Sequence, residues 1–149
     1  MKEDNITTSG LLRRLFKTAS IMRFIKHFDR QMEYVSFDTY ITELCIGKNK
    51  IPEHVILNAG IERSYGHQLF SGRRKPSRDK AIQLAFGFEM TFSETQALLK
   101  AARKSPLYPR IKRDAAIIFA LERKVTIVDF QNMLSDLKLP LLGKEGQLE

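Results

Sequence analysis

Residues 51–77 read IPEHVILNAGIERSYGHQLFSGRRKPS. Ile51-Pro52-Glu53 opens a helix. Proline fits a first turn, where its missing N–H has no acceptor, and glutamate suits the positive end of the macrodipole. The helix stops at Ala59-Gly60, because glycine supplies the left-handed residue that a sharp turn needs. Ile61 places an apolar plug in the turn. A second short helix runs from about Glu62 to Phe70 and ends at Ser71-Gly72. Two short helices joined through a glycine make a helix-turn-helix unit, with Val55, Ile56 and Leu69 facing its core. Pro76-Ser77 then begins another helix.

Working outward, every other segment also reads as helical. Phe37, Tyr40, Ile41, Leu44 and Cys45 mark a helix that starts after Ser36 and ends near Gly47. The helix after Ser77 buries Ala81, Leu84, Ala85 and Phe88. Ser93 with Gln96 has the spacing of a capping box and opens a helix through Leu98, Leu99, Ala101 and Ala102. Pro106 and Pro109 bracket an extended link, Ser105–Arg110, whose Leu107 and Tyr108 pack against the helices beyond it, or which serves as a rigid basic arm with Tyr108 open to a partner or a backbone phosphate, with packing placed first. Residues 115–121 are seven apolar residues in a row and read as a buried helix. Thr126 caps a last helix with Ile127, Phe130, Leu134 and Leu137 on one side. On the N-terminal side, residues 1–10 are polar and small and read as disordered. Leu11 to Met32 is helical with a break near Thr18 to Ser20. No stretch alternates with period two long enough to need a sheet, so the fold is all-α. No internal repeat and no low-complexity segment stands out.

The chain has 149 residues and a formal charge of +8, from 25 basic and 17 acidic groups. That length suits one domain with an appended arm, and 43% apolar residues are enough for a core. One cysteine excludes an internal disulfide, and three scattered histidines beside it do not make a zinc site. No apolar run approaches a membrane span, and no signal peptide is recognisable, so a cytoplasmic location is expected. The basic residues bunch in three acid-free groups: Arg13, Arg14, Lys17, Arg23 and Lys26; Arg73, Arg74, Lys75 and Arg78; and Lys100, Arg103, Lys104, Arg110, Lys112 and Arg113. Such groups suit a polyanion, because each neutralised phosphate releases condensed counterions. They are equally what a solvated face carries.

The stretch resembles the lambda-repressor-like, Xre-type helix-turn-helix family of bacteria and phage. That pattern places a glycine and an apolar residue in the turn, a second glycine twelve positions on, then a basic residue and Pro-Ser. Here these are Gly60, Ile61, Gly72, Arg74, Pro76 and Ser77, with Leu69 at an apolar position between them. The resemblance implies a five-helix core over residues 36–102. Residues 1–35 form a basic helical arm, 103–142 a two-helix extension and 143–149 a disordered tail. Four positions depart from the pattern. Ile56 stands where a small residue is usual, and Pro52 where a polar phosphate contact is usual. Glu62 replaces a small N-cap, and Gly66 replaces an apolar residue.

By resemblance the chain is a sequence-specific DNA-binding protein in transcriptional control, without a cofactor or metal, and a homodimer by the two-fold logic of half-sites. Arg63, Ser64, His67 and Gln68 on the second helix of the motif are the candidates to read bases. Arginine can pair with guanine O6 and N7, and glutamine with adenine N6 and N7. Arg73, Arg74, Lys75, Ser77 and Arg78 are the candidates to hold phosphates. A different class of function is a protein-interaction module that keeps the scaffold and regulates a partner. The arm could pair in a dimer, touch DNA, engage another protein or lie on an acidic membrane, with partner binding placed first. No carboxylate pair is accompanied by a nucleophile or a phosphate loop, so an enzyme is not expected. Cys45 reads as core.

Overall fold

The structure, a computed structural model, describes residues 6–32 and 35–143, without the side chains of residues 30 and 31. Among the described residues it is all-helical. The chain divides into two compact units, Met1–Tyr34 and Val35–Glu149. The expected tail lies outside the described residues, except Gly143.

The first unit holds α1 (Thr8–Lys17), α2 (Ile21–His27) and α3 (Asp29–Met32). The expected break is present, with Ser20 Oγ accepting from Arg23 N–H at the start of α2. One expectation is corrected: residues 8–10 are helical, because Thr7 Oγ1 accepts from Gly10 N–H at 3.0 Å and caps α1. No residue of α1 is buried. Phe24 and Phe28 are buried and pack ring to ring at 4.8 Å.

The second unit contains α4 (Phe37–Gly47), α5 (Pro52–Asn58), α6 (Arg63–Ser71), α7 (Arg78–Gly87), α8 (Phe92–Ala101), α9 (Lys112–Glu122) and α10 (Ile127–Asp136). Its centre is α7, where every residue from Lys80 to Gly87 is buried. A helix enclosed on all sides needs apolar residues all round, and Ala81, Ile82, Leu84, Ala85 and Phe86 supply them. α5, α8 and α10 pack on α7, α4 packs on α6, and α9 packs on α8 and α10.

The α5–α6 turn forms as its sequence dictates. Gly60 has φ +69°, a conformation open to glycine at little cost. Ile61 is buried behind it, and Val55, Ile56 and Leu69 are within 2% of complete burial. The bulk expected at position 66 is supplied from the other helix. A Cβ on Gly66 would lie 2.4 Å from Ile56 Cγ2 and 2.7 Å from Ile56 Cγ1. The two size departures are therefore one exchange, in which Ile56 fills the space that Gly66 leaves.

Two helix-end expectations are corrected. The capping box of α8 is Thr91 with Glu94, two residues earlier than the Ser93–Gln96 pairing. Thr91 Oγ1 accepts from Glu94 N–H and Glu94 Oε1 from Thr91 N–H. Leu137 is the C-cap of α10 and is 54% exposed, so it leaves the buried side that Ile127, Phe130 and Leu134 form.

A third correction concerns repeats. Residues 78–108 and 113–143 are two copies of one αα-hairpin offset by 35 positions, with nine of the 31 aligned residues identical. Arg78, Asp79, Ala81, Ile82, Ala85, Thr91, Gln96, Leu99 and Leu107 recur as Arg113, Asp114, Ala116, Ile117, Ala120, Thr126, Gln131, Leu134 and Leu142. The identities are the working parts. Thr91 and Thr126 cap the second helix of each copy. The Gln96 amide exchanges two hydrogen bonds with the Leu107 backbone at 2.8 and 3.0 Å, and Gln131 does the same to Leu142 at 2.8 Å. Left-handed residues follow the helices at matched places, Glu89 with Lys124 and Arg103 with Lys138.

The copies are joined reciprocally. Arg78 Nη1 and Nη2 donate to the Asp114 carboxylate at 3.1 and 2.9 Å, and Arg113 donates to Asp79 at 2.8 and 2.9 Å. Each arginine also donates to the two carbonyls that close its own copy, Ser105 and Pro106 for Arg78, Pro140 and Leu141 for Arg113. Tyr108 N–H meets Asp114 at 3.0 Å, and Gly143 N–H meets Asp79 at 3.1 Å. A contact in which residue i meets j′ and j meets i′ is the signature of a two-fold axis. The hairpins thus pair about a pseudo-dyad within one chain. The division expected after Ala102 falls inside the first copy, which ends with Leu107 and Tyr108, and both hairpins belong to one compact unit.

Candidate nucleic-acid interface

α6 exists as a helix because both of its ends are satisfied locally. Glu62 accepts from the N–H groups of Ser64 and Tyr65, both at 2.9 Å. Those bonds hold the Glu62 carboxyl below the usual carboxylate range. At the other end Gly72, φ +82°, is the C-cap, and Arg74 N–H donates to Gln68 O. Gly66 and Leu69 face inward, while Arg63, Ser64 and His67 are exposed and Gln68 is half-buried.

The four base-reading candidates thus lie on one helix, but three already have neighbours within the chain. Arg63 Nε donates to Glu53 Oε1 at 2.7 Å, and His67 Nε2 lies 3.9 Å from the same oxygen. Arg63's hydrogen bond and charge lower the Glu53 pKa. Gln68 Oε1 accepts from Arg74 Nε at 3.0 Å. Arg74 also lies over the Tyr65 ring at 4.5 Å, and Lys80 Nζ is 5.2 Å from the same ring. Glu53 was not among the sequence candidates. Its signal was its place in the first turn of α5, ten residues ahead of Arg63 and across the turn from it.

The phosphate candidates separate into two sets. Arg73, Arg74 and Lys75 are exposed on the segment after α6. Ser77 Oγ caps α7 by accepting from Lys80 N–H at 3.2 Å, and Ser77 is half-buried. Arg78 departs from the expectation, since all three of its guanidinium nitrogens donate to Asp114, Ser105 and Pro106 within the fold. Arg113 leaves the third basic group for the same reason. In that group Lys100, Arg103, Lys104, Arg110 and Lys112 stay on the surface. The exposed face built on α6 therefore offers a guanidinium, a hydroxyl, an imidazole and an amide, with three cations beside them and Glu53 and Glu62 as opposing charges.

No protein-family model, no curated protein and no solved structure matches the chain. The chemistry of the exposed groups and their placement carry the functional reading.

Among the described residues no group of three or more His, Cys, Asp or Glu could hold a metal ion, and no helix is long and apolar enough to cross a membrane. Cys45 is buried, and burial pushes its thiol pKa up, which makes it less nucleophilic at neutral pH.

Proposed function

We propose that the chain is a sequence-specific double-stranded-DNA-binding protein of the helix-turn-helix type, acting in transcriptional control with α6 in the major groove. The observation that carries this reading is the row Arg63, Ser64, His67 and Gln68, the first three exposed and Gln68 half-buried, on a helix that follows the Gly60–Ile61 turn, with Arg73, Arg74 and Lys75 directly after it. Bases are read by such side chains, while phosphates are held by cations beside them. The intramolecular partners supply selectivity. Glu53 competes with DNA for Arg63, so a base edge must offer two acceptors, as guanine does, to displace it. Arg74 holds Gln68 in the same manner until a phosphate takes the arginine.

The test is selection of sites from a random duplex pool, then titration of the best site at two salt concentrations. A recovered motif, bound at least about tenfold more weakly by Arg63→Ala and by Gln68→Ala, supports a sequence reader. Glu53→Gln should raise affinity for all duplexes and flatten the discrimination between them. Salt-dependent binding without a motif means charge attraction alone. Absence of binding leaves the scaffold as a protein-interaction module.

A further inference from the structure

We propose that the open groove between α9 and α10 is the surface through which two copies of this chain associate face to face. The inference does not depend on DNA binding.

The repeat is the starting point. The groove, about 650 Å³, is floored by Ala115, Ala116, Phe119 and Met133. The equivalent positions in the first hairpin, 35 residues earlier, are Lys80, Ala81, Leu84 and Leu98. There the last three are 0% exposed, because the chain covers that face with its own helices. α6 brings Tyr65 over Lys80, and α4 brings Lys48 to Glu94 with Nζ 2.5 Å from Oε2. In the second hairpin the same face is open. Phe119 is 46% and Leu137 54% exposed at its edge. One hairpin design thus occurs twice, once covered by helices and once bare. An apolar face of this kind on a folded surface marks an interaction site.

The charges around the groove select the occupant. α9 and α10 run antiparallel through the turn at 123–126, so Lys112 and Asp136 lie at the open end and Arg123 and Asp129 at the turn end. Arg123 lies over the Phe119 ring, 3.6 Å from its centroid. Each end therefore carries one cation and one anion. A two-fold rotation about an axis along the groove lays α9 of one copy on α10 of the other, ends in register, and sets Lys112 against Asp136 of the other copy and Arg123 against Asp129. Both Phe119 rings then lie at one level along the groove, across the axis from each other. Self-complementarity of one patch is the requirement of an isologous dimer, and Asp129 finds the cation that its equivalent Glu94 already has in Lys48. A partner of uniform charge would leave one member of each end pair opposed by a like charge, which costs specificity and affinity.

The experiment is sedimentation velocity of the full chain over a concentration series without DNA, together with a Phe119→Trp reporter. The chain has no tryptophan, so that indole is the sole emitter of its class. We expect a reversible dimer and a blue shift of the indole emission as concentration rises. Phe119→Glu should abolish the dimer in sedimentation, with helicity by circular dichroism checking that the variant is folded. Lys112→Glu and Asp136→Lys, each on an exposed side chain, should each weaken self-association at least about tenfold. An equimolar mixture of those two variants should recover it, because each altered residue then faces its opposite charge. A chain that stays monomeric across the series overturns the proposal and leaves the groove to another protein. So does a dimer that tolerates Phe119→Glu, or a mixture that recovers nothing.

Discussion

Ile56 and Gly66 give the sharpest test of how the α5–α6 unit is packed. A Cβ at position 66 would sit 2.4, 2.7 and 2.9 Å from Ile56 Cγ2, Cγ1 and Cδ1. Ile56 is 2% exposed and β-branched, so it cannot swing aside without leaving its one favoured helical rotamer. On helix propensity alone Gly66→Ala should stabilise by about 1 kcal/mol. Overpacking a well-filled core costs about 1–3 kcal/mol, so the expected net effect in the parent is a loss of about 1 kcal/mol. Ile56→Ala alone should cost about 2–5 kcal/mol through lost burial and the cavity left behind. In that background the three obstructing atoms are gone. Gly66→Ala then keeps its propensity gain and adds a buried methyl, worth about 0.8 kcal/mol, and should stabilise by about 1–2 kcal/mol. The same substitution therefore changes sign, with a coupling of about 2–3 kcal/mol. Urea unfolding of the four proteins, followed by far-ultraviolet circular dichroism, measures it. Gly66→Ala stabilising the parent, or acting equally in both backgrounds, would refute the exchange of bulk.

Further outcomes follow from the paired hairpins. Arg113→Met should destabilise the chain by about 2 kcal/mol in the same unfolding assay, because it leaves the half-buried Asp79 carboxylate without its cation. A loss below about 1 kcal/mol would mean that the pair is solvated. Burial raises the Asp79 pKa, but hydrogen bonds from Arg113 and from Gly143 N–H, with the charges of Arg113 and Arg78, lower it further, so it lies below the ordinary value. The unfolded chain then takes up the proton first on acidification. The contribution of Asp79 is full above the unfolded value of about 3.9 and is lost as pH falls through the lower folded value. Thermal melts of the parent and Asp79→Asn between neutral and acidic pH should converge at the acid end, and parallel curves would show that Asp79 is not the group responsible.

The elements that local chemistry dictates were legible in the sequence. Gly60, Ser77, Thr126 and the Thr18–Ser20 break each act through hydrogen bonds or dihedral angles within a few residues, and the helices end where these residues place them. The α8 box was misplaced because Thr91–Glu94 and Ser93–Gln96 both have the required spacing. Burial of Met90 and the Glu94–Lys48 pair, 46 residues apart in sequence, select the first. The repeat is faint in the sequence because only its caps, its ion pair, its glutamine clasp and a few packing positions are identical. The remaining apolar positions exchange freely among Leu, Ile, Phe and Met, as packing permits. On the α6 face the row of exposed side chains follows from helical spacing. That Glu53 holds Arg63, and that Arg78 and Arg113 serve the core, does not, since composition cannot distinguish a paired arginine from a solvated one.

The reciprocal join also sets an order of assembly. Asp79 receives hydrogen bonds from Arg113 and Gly143, and Arg78 receives its carboxylate from Asp114. During synthesis, a nascent chain that has passed residue 102 contains every helix of the central module but neither partner of this Arg–Asp pair. α7, the helix at the centre of the unit, must leave its first turn in water until the second hairpin has been made. The full set of contacts on Asp79 therefore needs every residue up to Gly143 to have left the ribosome. A nascent chain that stalls before that point offers a protease the α7 N-terminus that the completed molecule closes.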